Sequence, residues 1–147
     1  MKVIGNAELV ASGFKSAAGA LGSQDRLERE RGARMLAEFG KEAVAPLVAR
    51  LRIESNCDVL VAICSSLKKI GVEDKDSEIA LLAHAEQRLG GAEYGRVRQA
   101  AADALGTVGS IGCAGRLYRA AENEPDPRAS NAMVYSAERI AGRRRMG

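Results

Sequence analysis

Histidine occurs once, tryptophan is absent, and the only other rings are two Phe and three Tyr. A lone His84 excludes a histidine-rich metal centre and leaves no full set for nucleophilic catalysis. The shortage of rings means that the core must be built from Ala, Leu, Val and Ile brought close together. Cys57, Cys64 and Cys113 form an odd set without a C-x-x-C pair, which argues against a disulfide framework and fits a reducing compartment. Neither sign of charge dominates: 22 basic residues face 19 acidic ones, for a net charge of +3. That balance implies neither a nucleic-acid nor a membrane partner. No stretch approaches the roughly 20 apolar residues that span a bilayer. Residues 1–24 lack the basic start and long apolar run of a secretory signal, so a soluble, cytoplasmic protein is expected.

What the chain does have is a recurring column. A Leu precedes a Gly by four at Leu36/Gly40, Leu67/Gly71 and Leu105/Gly109, and Ala33, Cys64 and Ala102 stand three before each Leu. The glycines are 31 and 38 residues apart, and a looser fourth copy ends at Gly142, 33 further on. Self-similarity at this period is the mark of stacked helix pairs, each unit burying its apolar face against the next.

The repeat divides the chain into an N-terminal segment (1–24), a repeat domain (25–142) and a basic tail (143–147). Residues 7–21 form a weak helix, interrupted by Gly13 and Gly19, that would cap the first repeat. Asp25, with Glu28 three residues on, predicts a helix start, and Gly40 a stop. Pro46 fits the first turn of the next helix, whose inner stripe is Val44, Leu47, Val48 and Leu51. A second pair starts near Asn56 and is apolar almost all round, as a central repeat requires. Ile79, Leu82 and Leu89 are expected to line its second helix. Residues 88–95 interrupt the period and predict an inserted loop. A third pair follows, Val97–Thr107 and about 110–122, with Ile111, Ala114, Leu117 and Ala121 inward. The last helix reaches about Ala141, and Arg143–Arg145 should fray.

Two runs carry a family resemblance: Val97-Arg98-x-x-Ala101-Ala102-x-Ala104-Leu105-Gly106-x-x-Gly109, and Arg29-x-x-Gly32-Ala33-x-x-Leu36-x-x-x-Gly40 with Glu42-Ala43-Val44-x-Pro46-Leu47 after it. The third run, Val59 to Gly71, keeps the Val, Leu and Gly but has Leu60 where Arg is usual. These resemble HEAT repeats of the short bacterial, phycobilisome lyase HEAT-like type. The resemblance implies an all-α fold: a right-handed α-α superhelix, a HEAT-like solenoid, of about four antiparallel helix pairs. It also implies that the second helix of each pair lines a concave side where partners bind.

On those second helices and the inserted loop, Arg50, Ile53, His84, Arg88, Tyr94, Arg116 and Arg119 are the candidate partner-binding residues. Stacked in register, they would make a basic strip for an acidic protein or peptide surface. The competing view is a solvated Arg-rich face paired with neighbouring Glu residues. His84 reads as an ordinary helix residue and Cys64 as a small core residue, while Cys57, near a helix start, is the one thiol whose pKa position could lower. The glycines at 106, 109, 112 and 115 lack the strand and Gly-Lys-Ser/Thr ending of a phosphate loop. No catalytic residue, metal ligand or cofactor is expected. The leading function is a non-enzymatic protein–protein interaction scaffold. The alternatives are an accessory or chaperone subunit resembling phycobilin lyases, and a weak nucleic-acid binder, which the missing stacking aromatics oppose.

Overall fold

A computed structural model describes residues 6–146, so residues 1–5 of the expected N-terminal segment and residue 147 of the tail lie outside the described residues. The described chain is all-helical: α1 (Asn6–Leu21), α2 (Arg26–Leu36), a 3-10 stretch (Ala37–Ala43), α3 (Val44–Ile53), α4 (Cys57–Ile70), α5 (Lys75–Ala85), α6 (Tyr94–Val108), α7 (Cys113–Glu122) and α8 (Pro127–Met146). No strand occurs among the described residues. No helix there is long and apolar enough to cross a membrane.

Short polar side chains start α2, α4, α5 and α8. Asp25 accepts from the N–H of Leu27 at 3.0 Å, Asn56 from Val59 at 3.1 Å, Asp74 from Ser77 at 2.9 Å and Asp126 from Arg128 at 2.9 Å. Each satisfies a backbone donor that the first helical turn leaves orphaned. Gly71 ends α4 in the left-handed region (φ 69°, ψ 18°), its N–H returning to the Leu67 carbonyl at 3.0 Å. Gly40 also has positive φ (65°), but with ψ −145° it kinks the 3-10 stretch instead of closing α2 directly.

α1 packs on α2, and α2, α4, α6 and α8 then lie successively side by side. α5 rests on α6, α7 on α8, and α3 bridges α4 and α5. The recurring column sits at the centre of this arrangement: Ala33, Cys64, Ala102, Leu36 and Leu105 are fully buried and Leu67 almost so. One apolar cluster runs from Ala17 in α1 to Ile140 in α8. Each fully buried Leu or Ile within it contributes about 1.5–3 kcal/mol. Close approach replaces rings: a Cβ on Gly106 would meet Ser136 Oγ at 2.6 Å, and one on Gly32 would meet the α1 backbone at 2.7–2.8 Å.

Several expected positions move. Ile79, Leu89 and Ile111 are exposed (53%, 76% and 46%), while Leu81, Ala85 and Cys113 turn inward in their place. The third repeat begins at Tyr94, three residues before Val97, because the break between α5 and α6 falls at residues 86–93, two residues earlier than expected. The C-terminal helix does not fray at residue 143. α8 continues to Met146, and Arg143 donates to the carbonyls of Thr107 (2.9 Å) and Gly109 (3.0 Å), satisfying orphan acceptors at the end of α6.

Candidate functional site

Two matching ionic clamps organise the second-helix side. Glu54 follows α3 directly and is buried; it accepts from Arg29 (Nε, 2.9 Å; Nη2, 3.3 Å), from Arg50 (2.9 Å) and from the N–H groups of Ser55 and Asn56. Glu124 stands one residue further from the end of α7, after Asn123. It accepts from Arg98 (Nε, 2.6 Å; Nη2, 3.0 Å), from Arg88 (3.0 Å) and from the N–H of Asp126. Burial alone would raise both carboxyls, but these hydrogen bonds and the guanidinium charges outweigh it and hold both below the usual carboxylate range. Each Glu thus ties a first helix, a second helix and the start of the next unit together.

The middle repeat has no such clamp, because Leu60 stands at the Arg position and is buried. A different link fills that level. His84 Nε2 lies 2.8 Å from the Leu51 carbonyl, which can only accept, so Nε2 carries the proton. Nδ1 then accepts from the Tyr94 hydroxyl. Burial pushes the Tyr94 phenol up to about 12, and the Arg98 guanidinium stands 5.9 Å from its ring centroid.

The seven candidate residues therefore do not form a row of free cations. Arg50 and Arg88 belong to the two clamps, and Arg116 is paired with Glu86. His84 and Tyr94 come together but satisfy each other, and Tyr94 is half-buried at the start of α6 instead of standing on the loop. Arg119 is exposed and in no ion pair among the described residues, and Ile53 is 71% exposed. Cys57 does not become acidic: burial and the nearby Glu93 raise its thiol. Burial raises Cys64 and Cys113 to about 12. No group of three or more His, Cys, Asp or Glu able to hold a metal occurs among the described residues.

The opposite layer carries a larger concavity. A groove of about 650 Å³ runs along α6, with α4 and α8 as its walls. Its floor is Gln99, Ala100, Asp103 and Thr107; its walls include Val61, Ser65, Lys68, Lys69, Arg128 and Arg139, and Arg96 closes one end. Five cations thus face one carboxylate. Three are tied at the margin: Arg96 to Asp58 (3.1 Å), Lys69 to Glu38, and Arg128 to Asp126 (3.8 Å). Lys68 and Arg139 are in no ion pair among the described residues. Burial raises the carboxyl of Asp103, and Lys68 opposes that shift. The sequence signal for this site was the polar stripe Arg96, Gln99, Asp103, Thr107 at helical spacing on one face of α6.

Compared with family models, with curated proteins and with solved structures, the chain matches none.

Proposed function

We propose that this protein is a non-enzymatic, HEAT-like scaffold that holds an acidic segment of a partner protein in the groove along α6. In this reading the repeated units form a right-handed α-α superhelix of about four helix pairs. The buried Ala33–Cys64–Ala102 column supports it, as does the side-by-side succession of α2, α4, α6 and α8. The layer whose helices approach most closely lies on the inside of a curved stack. Gly106 and the small-residue column bring the first helices close, and Gly32 brings α2 onto α1, whereas α3, α5 and α7 touch one another sparingly. The concave side is accordingly assigned to the first helices, the reverse of what the family resemblance implies.

The observation that carries the reading is the charge of the groove: Lys68 and Arg139 are in no ion pair among the described residues, and Asp103 is the one carboxylate lining the trough with five cations. Such a surface attracts acidic groups and orients them before close contact. The non-enzymatic part rests on thiols held protonated and a His84 with both ring nitrogens engaged.

A labelled, Glu-rich helical peptide tests it by fluorescence anisotropy. Combining Lys68→Glu with Arg139→Glu should weaken binding about tenfold or more. The Arg50→Ala/Arg116→Ala/Arg119→Ala variant should bind like the parent. The opposite pattern moves the site to the second helices and rejects the groove. An oligonucleotide of equal length, run in parallel and bound more tightly than the peptide, rejects the protein-partner reading.

A further inference from the structure

We propose that α1 is a self-association helix: two copies of this chain pair through their α1 helices, side by side and antiparallel. α2 covers only one side of α1 near its C-terminal end, where Ala17 and Leu21 are buried. The N-terminal half stands clear, with Leu9 53% and Val10 60% exposed. Beside it lies an open trough of about 1260 Å³, the largest of the described concavities, between α1 and the ring of Phe39. Phe14 meets that ring edge-on, centroids 5.6 Å apart, and fixes the trough's floor.

Among the α1 residues that line the trough with Asn6, Glu8, Val10, Ser12 and Lys15, the apolar Ala7, Ala11 and Phe14 recur at spacings of four and three; Glu38 and Glu42 stand on the far wall, and Ala18, four further on, packs half-buried against the core. This is the seam spacing of paired helices. On one flank of the seam stand Glu8 and Lys15, seven residues apart and therefore in equivalent positions. Neither is in an ion pair among the described residues.

Those two charges select the occupant and its direction. In an antiparallel pair each flank faces the same flank of the other helix, read backwards. Glu8 then meets Lys15 of the second copy, Lys15 meets its Glu8, and the crossing falls between Ala11 and Ser12, where small side chains allow close approach. A parallel pair sets this flank against the Val10 side and leaves both charges unmatched. One helix crossing is at the small end of stable interfaces, so the association is weak and concentration-dependent, with a dissociation constant on the order of micromolar or above. It is independent of the α6 groove, which lies on other helices.

Sedimentation equilibrium at low ionic strength, over micromolar to millimolar concentrations, tests this with the full chain. The parent should dimerise. Glu8→Lys and Lys15→Glu should each weaken the dimer about tenfold, because each reversal turns two attractions into repulsions. The Glu8→Lys/Lys15→Glu exchange should restore it. These positions are exposed, and unchanged helical circular dichroism would verify that each variant is folded. A chain monomeric throughout, a dimer indifferent to the single reversals, or an exchange that does not restore pairing would overturn the proposal. So would capture of a Lys-rich amphipathic peptide by a chain that stays monomeric, since that names a different occupant.

Discussion

Arg98 presents two guanidinium nitrogens to the carboxylate of Glu124, at 2.6 and 3.0 Å, and both side chains are almost entirely shielded from water. The pair joins α6 to the loop that starts α8. A buried pair broken on one side costs about 3–5 kcal/mol when the other charge is left uncompensated, and here, with Arg88 and the Asp126 N–H still on Glu124, that range is the upper bound. Arg98→Leu should therefore lower stability by up to that order, read from urea unfolding. Replacing both residues with Leu should recover much of the loss, because no orphan charge remains. Arg88→Ala should cost far less, since its side chain is 36% exposed and Arg98 still holds Glu124.

Glu78 predicts an acid-sensitive contribution. Burial alone would raise its carboxyl, but donors from Cys113 and from the Ser110 hydroxyl and N–H outweigh it and hold it at about 2. A folded-state pKa below the unfolded one stabilises the fold above the ordinary carboxylate value, and the contribution fades as pH falls toward 2. Its size is on the order of 2–3 kcal/mol. Glu78→Gln should be less stable than the parent at neutral pH, and the two should converge as pH drops from about 4.5 to 2. A gap that stays constant across that range would contradict the assignment.

A methyl group on Gly32 would meet Leu21 N at 2.7 Å and the Ala17 carbonyl oxygen at 2.8 Å, both backbone atoms that cannot swing away. Gly32→Ala should cost about 1–3 kcal/mol through overpacking. Hydrogen exchange should speed up in α1 and remain slow in α6. Gly19→Ala is the control: nothing lies within 4 Å of that position, so it should stabilise α1 by about 0.5–1 kcal/mol.

The repeat and the core were legible because they depend on local spacing. Asp25, Asn56 and Gly71 act at the helix ends as their side chains and backbone freedom dictate. The sequence was less informative where apolar residues run together. In Ile79-Ala80-Leu81-Leu82 any face could be the inner one, and it is the contacts of the buried Glu78 with Ser110 and Cys113 that turn Ile79 outward. The similar spacing of the clamps, 25 residues from Arg29 to Glu54 and 26 from Arg98 to Glu124, was present but carried meaning only once the turns brought the partners together. The α6 groove was hidden for a different reason. Lys68 and Arg139 come from different helices, and periodicity does not say which layer of a stack is concave.

The thiols should differ in reactivity. Cys64 and Cys113 are buried and held near 12, so a disulfide reagent at neutral pH should reach them only on unfolding. Cys57 is half-buried with its thiol raised, so it should react first and slowly. Three equally fast thiols in the native protein would contradict the packing described for α4 and α7.

The most direct test of the binding face is a titration of isotope-labelled protein with the Glu-rich helical peptide, followed by amide chemical shifts. The shifts should concentrate at Ser65, Lys68, Gln99, Asp103 and Arg139, along the groove. Shifts confined to Ala49, Ala83 and Arg119 on the second helices, or none at all at saturating peptide, would contradict it.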